Sequence, residues 1–118
     1  MSERARPMQE PTLLLLTALA DEPRHGYALM QEVAEISNGR VRLRTGTLYG
    51  ALERLQREGM VRVEREEVVD GRARKVYALA DPGAVALAEE TARLRAVAEE
   101  AERRLARRPR PSARGALA

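Results

Sequence analysis

Apolar and polar residues alternate with changing period along this chain, and each period predicts an element. "PTLLLLTALA", from Pro11 to Ala20, is apolar on most sides, which predicts a helix at the centre of the core. "DEPR" breaks it, because Pro23 cannot continue a helix and restricts Glu22 as well. In "HGYALMQEVAEI", Tyr27, Met30, Val33, Ala34 and Ile36 recur at helical spacing, while Gln31, Glu32 and Glu35 face out. His25 stands near the N-cap of that helix, and Tyr27 is expected to pack under the first. Asn38-Gly39 supplies the left-handed residues of a helix stop. "RTGTLYGALERLQREG", 44–59, carries Leu48, Leu52 and Leu55 at i, i+4 and i+7, a single buried stripe. Thr45 is placed to cap this helix, and Gly59 ends it.

The period then falls to two. In "MVRVEREEVV", Val61 and Val63 alternate with Arg62 and Glu64, a strand pattern. Asp70-Gly71 signals a tight hairpin, since both turn residues must take positive φ. "RARKVYALA" returns as the second strand, with Tyr77 and Leu79 on one face. Asp81 as N-cap and Pro82 at the first position open a last, long helix. Along it Leu87, Thr91, Leu94, Ala98, Ala101 and Leu105 make a heptad-like, alanine-rich seam.

The expected fold class is mainly α with a small β-hairpin: three helices, a two-stranded ribbon and a long helix, in the order of a winged helix-turn-helix. The expected organisation is a flexible leader at 1–8, the winged domain at 9–80, a C-terminal dimerisation helix at 81–108 and a disordered tail at 109–118.

The third helix has an unusual front end. Around Leu48, Leu52 and Leu55, the opposite side of the wheel shows Gly46, Thr47, Gly50, Glu53, Arg54 and Arg57, with Tyr49 on the flank. In a helix-turn-helix the second helix of the pair presents its N-terminal residues to the base edges. Small residues allow close approach there, hydroxyls and helix-terminal N–H groups hold phosphates, and Arg reaches phosphate or guanine. A solvated face with ordinary capping accounts for this stretch equally well on its own. The hairpin separates the two. From Arg65 to Lys75 the apolar alternation fails, so the tip is expected to project from the core, carrying Gly71, Arg72, Arg74 and Lys75 as a basic wing.

Charge sharpens this picture only when mapped. The net charge of +3 is mild, but residues 40–75 hold ten basic side chains against six acidic ones. The 20 Arg against one Lys reflect a GC-rich coding bias before any chemical demand. With no Cys and one His, the chain offers no disulfide, no thiolate or multi-His metal site and no catalytic triad. No cofactor and no enzymatic activity are expected. Arg4 and Arg6 ahead of "LLLLTALA" imitate an export signal, but Glu10 and Pro11 interrupt the approach and the apolar run is short.

"HGYAL", "GTLYGALERLQREGMV" and "RKVYAL", in this order, resemble the PadR family of bacterial transcription regulators. The resemblance covers roughly residues 11–105. It implies a winged helix-turn-helix, a C-terminal helix that makes the homodimer, and a cytoplasmic location. Thr47 and Tyr49 match family positions at the start of the recognition helix, and Gly71, Arg72 and Lys75 match the wing. The chain departs at Gly50, where the family commonly has Pro and where the helix should be less rigid, and at Val76, where an aromatic is common.

The expected function is a sequence-specific regulator, of repressor type, binding double-stranded DNA at an inverted repeat. Thr45, Thr47, Tyr49, Gly50, Arg54, Arg57, Gly71, Arg72, Arg74 and Lys75 are the expected DNA-contacting residues. Leu87, Leu94, Ala98, Ala101 and Leu105 are the expected dimer contacts. The alternative is a winged-helix interaction module that never touches DNA. Some members of the family sense flat apolar compounds. This chain has only three aromatic residues, all Tyr and none on the dimer seam, so no planar drug is expected to bind tightly there; any effector is unidentified.

Overall fold

The computed structural model describes residues 7–111. Most of the expected leader and tail, residues 1–6 and 112–118, therefore lies outside the described residues. The element order is α1 (Glu10–Leu19), β1 (Arg24–His25), α2 (Gly26–Ile36), α3 (Thr45–Arg57), β2 (Val61–Val69), β3 (Arg72–Leu79) and α4 (Asp81–Arg107). This is a winged helix-turn-helix followed by a long helix, as the periodicity predicts.

The core forms where the leucine-rich helices converge. Leu14, Leu15, Leu16, Ala18 and Leu19 of α1 are buried with Leu29, Val33, Leu48, Leu52 and Leu55. Val61 and Tyr77 close this cluster from the sheet. Met8 also packs against it, and its backbone N–H donates to the Glu90 carboxylate at 3.3 Å, so the chain is held from within the stretch expected to be a loose leader. Among the described residues no helix is long and apolar enough to cross a membrane.

The sheet has three strands in the order β1-β3-β2, not the two of a simple hairpin. Arg24 and His25 pair with Tyr77 and Val76, which makes β3 the central strand. That explains why Val76, Tyr77 and Ala78 are all buried. A bulge between Val63 and Arg65 shifts the β2–β3 register. Asp70 and Gly71 both take positive φ, 53° and 76°, as the two-residue turn requires.

Three local expectations are corrected. Thr45 is not the N-cap of α3: Arg44 takes that place in extended conformation and accepts the Leu48 N–H at 2.9 Å, so Thr45 is already the first helical residue. Asp81 likewise is the first helical residue of α4, because Ala80 is held by the carbonyl of Met60 and accepts the Ala84 N–H. Its carboxylate still favours the positive end of that helix. Tyr27 is not packed under α1 but is exposed, since the buried stripe of α2 runs through Gly26, Leu29 and Val33.

A candidate nucleic-acid interface

The buried stripe of α3 fixes what the helix shows outward. With Leu48, Leu52 and Leu55 completely covered, Thr45, Gly46, Thr47, Tyr49, Gly50, Glu53 and Arg57 are exposed. A Cβ at Gly46 or Gly50 would meet nothing within 4 Å, so both glycines face open space. No side chain caps the N-terminus of α3. Its first-turn N–H groups and the positive end of the helix dipole are thus left to an external acceptor.

The segment leading into α3 adds charge at that end. Val41 and Leu43 turn in against the core, while Arg42 and Arg44 are exposed. Neither arginine is among the residues that the sequence pattern singled out. Their signal is the alternation of "RVRLR", which puts the arginines at 40, 42 and 44 on the solvent side of an extended segment.

The expected arginines of α3 have partners already. Arg54 donates to the Thr12 hydroxyl of α1 at 2.8 Å and to Glu58 at 3.2 Å. Arg57 pairs with Glu53 at 3.2 Å, but both side chains are well exposed, so this pair is weak and easily exchanged for a phosphate. Among the described residues Arg42, Arg44, Arg72, Arg74 and Lys75 form no ion pair, which leaves their charge for an external anion.

On the wing, residues 64–75 are exposed or half-exposed throughout. Glu67 stands opposite Arg74 and Glu66 opposite Lys75. Glu67 is drawn elsewhere, since it holds Arg65 together with Glu64 and also faces His25 Nε2 at 3.3 Å, whereas Glu66 stays opposite Lys75. Strand alternation puts Arg72 and Arg74 on one face and Lys75 on the other.

Tyr49 lies on the flank of α3, half-exposed, with its hydroxyl over Gly26 at the start of α2. Burial pushes the Tyr77 phenol above its ordinary value, and the neighbouring Tyr49 phenol adds to the rise.

The expected dimer contacts divide. Leu87 is half-buried on the chain's own core, beside the buried Gly83, Ala86 and Glu90. Leu94, Ala98, Ala101 and Leu105 are exposed, and so is Val97, which continues their stripe.

Residues 15–89 match the profile described as the transcriptional regulator PadR-like family. The chain is 41% identical over 88 residues to Transcriptional regulator Rv3488 of Mycobacterium tuberculosis, covering 75% of this chain and 78% of that protein. Its fold is similar to that of a PadR-like transcription factor from Bacteroides fragilis, with a TM-score of 0.66 and 26% identity over 79% of this chain and 87% of that one. It is similar in fold also to Bacillus subtilis PadR in complex with operator DNA, with a TM-score of 0.63 and 22% identity, covering 71% of this chain and 47% of that one. A family profile covering most of the winged domain, a relative sharing two residues in five, and the same fold in solved family members agree: this chain belongs to the PadR-like family of transcriptional regulators.

Proposed function

We propose that this regulator binds double-stranded DNA as a homodimer at an inverted-repeat operator and represses by occupying it. The observation that carries the reading is the outward N-terminal half of α3: small, hydroxylated, uncapped, and flanked by the unpaired Arg42 and Arg44. In this arrangement Thr45, Thr47, Tyr49, Gly50 and Arg57 face the major groove. Arg42, Arg44, Gly71, Arg72, Arg74 and Lys75 meet phosphates. Arg54 is left to the fold by its bond to Thr12. The operator complex of Bacillus subtilis PadR supports the same use of the fold.

The dimer rests on α4. In its first ten residues Gly83, Ala86, Leu87 and Glu90 turn in against the core, and the rest presents Leu94, Val97, Ala98, Ala101 and Leu105 to solvent. A second copy covering that stripe sets two recognition helices for half-sites related by two-fold symmetry. No aromatic residue lies on α4, so a planar effector finds no stacking partner there.

A second reading, docking on another protein without DNA, draws on Glu66 and Glu67 in the wing, which dilute its positive charge. One binding experiment separates the two. Fluorescence anisotropy is measured with a labelled duplex from directly upstream of the chain's own reading frame, against a shuffled duplex of equal length. The expected preference is at least about 10³-fold. Equal, salt-insensitive binding to both duplexes rejects the DNA reading.

A further inference from the structure

Gly26, the first residue of α2, is buried and does not have the positive φ that would itself demand glycine. Space demands it instead. A Cβ at this position would lie 2.8 Å from Tyr49 Cζ and 3.1 Å from Cε1, and closer still to the Tyr49 hydroxyl. Real Cβ atoms essentially never come closer than 3.0 Å to such a neighbour, so a side chain at 26 and the Tyr49 ring cannot both keep these positions. The obstructing atoms are the outer end of a side chain that is 44% exposed, with room to swing toward solvent. The core leucines on the opposite face of α3 are untouched by that movement.

We propose that Gly26 is a positioning residue: its bare backbone is the seat of the Tyr49 ring and so aims a DNA contact of the recognition helix. This rests on the DNA reading above. An exposed tyrosine otherwise samples several rotamers and loses that freedom on binding, which weakens the complex. Seated on Gly26, the ring is held in place before DNA arrives. The first turn of α2 thereby contributes to recognition without touching the duplex.

The test has two readouts, one without DNA. In the free protein, NMR ring resonances of Tyr49 should move on Gly26→Ala, while the melting temperature stays at or above that of the wild type. With the upstream duplex, Gly26→Ala should weaken binding about tenfold, equivalent to about 1.4 kcal/mol, and Tyr49→Ala by a similar factor. The double variant should bind no more weakly than Tyr49→Ala alone, because the seat has nothing left to hold. Losses that multiply in the double variant overturn the proposal. So do unmoved Tyr49 resonances, or a lower melting temperature that Tyr49→Ala fails to restore. A wild type that binds no duplex removes the aiming role together with the DNA reading, whereas the ring resonances report on the seat alone.

Discussion

Arg54 of α3 reaches Thr12 of α1, 42 residues away in sequence, and donates a 2.8 Å hydrogen bond to its hydroxyl. The recognition helix is thus tied to the central core helix by a side chain that its helical wheel assigns to the outer face. Arg54→Ala should therefore cost stability before it costs affinity. The expected loss is about 1 kcal/mol, that of one hydrogen bond from a charged donor discounted for partial exposure. Thr12→Val should cost a similar amount, and the two losses should not add. Denaturant unfolding of the two single variants and the double checks this. A stable Arg54→Ala protein with weakened DNA binding would return Arg54 to the interface.

Groove and backbone contacts should fail differently. Arg44→Ala and Arg72→Ala should weaken binding to all sequences nearly alike. Each should flatten the dependence of log K on log salt by about 0.9 for every phosphate it no longer neutralises. Thr47→Ala should instead relax preference at one base pair, by about 1–3 kcal/mol where the hydroxyl meets a base edge directly. Binding titrations over a salt series and over single-base operator variants distinguish them. A changed base preference in Arg72→Ala would refute its phosphate role.

Leu87 and Leu94 should part company. Leu87 packs on the chain's own core, so Leu87→Ala should destabilise the winged domain itself, by about 2 kcal/mol, the lower end for a packed leucine. Leu94, Val97 and Leu105 are exposed on the stripe, so Leu94→Asp should give a folded winged domain that sediments as a monomer. A Leu94→Asp protein that remains dimeric would place the interface elsewhere.

Acid should weaken the attachment of α4. Glu90 accepts hydrogen bonds from Arg93 and from the Met8 N–H. The Arg93 hydrogen bond is the main reason its carboxyl sits below the ordinary value. A depressed carboxylate stabilises the fold at any pH above its unfolded-state pKa, about 4.3, and that contribution disappears as pH falls through the folded value. Glu90→Gln should accordingly be less stable than the wild type near neutrality, with the gap closing below about pH 4. Thermal melts of the two proteins from neutral to acid pH are the check. A gap that stays constant across that range would exclude the linkage.

The readable parts of this fold are those with a period. The Leu48–Leu52–Leu55 stripe shows its face in the sequence because no other large aliphatic residue lies on α3, and Asp70-Gly71 is legible because so few residues accept positive φ. What stays hidden lacks a period or depends on distant partners. β1 is two residues long, too short for any alternation, and it becomes a strand only by pairing with Val76 and Tyr77. The start of α2 is apolar nearly all round, so its spacing points to Tyr27 where the buried stripe runs through Gly26 and Leu29. The partners of Arg54 and the seat of Tyr49 are tertiary facts, since both join residues far apart in the chain. Arg42 and Arg44 are within reach of the sequence, because the alternation of "RVRLR" is local.

The second half of α4 has consequences beyond geometry. From residue 91 onward it is almost wholly exposed, about 25 Å of helix at 1.5 Å per residue with little of its own chain to lean on. Helices gain most of their stability from tertiary packing, so this segment draws little from its own protomer. In the proposed dimer its order is supplied by mass action, and the melting temperature rises with protein concentration. Dimer abundance at low concentration grows as the square of the number of chains. A cell that doubled its supply of this regulator would then roughly quadruple the DNA-competent species, so that the amount of protein is itself the signal.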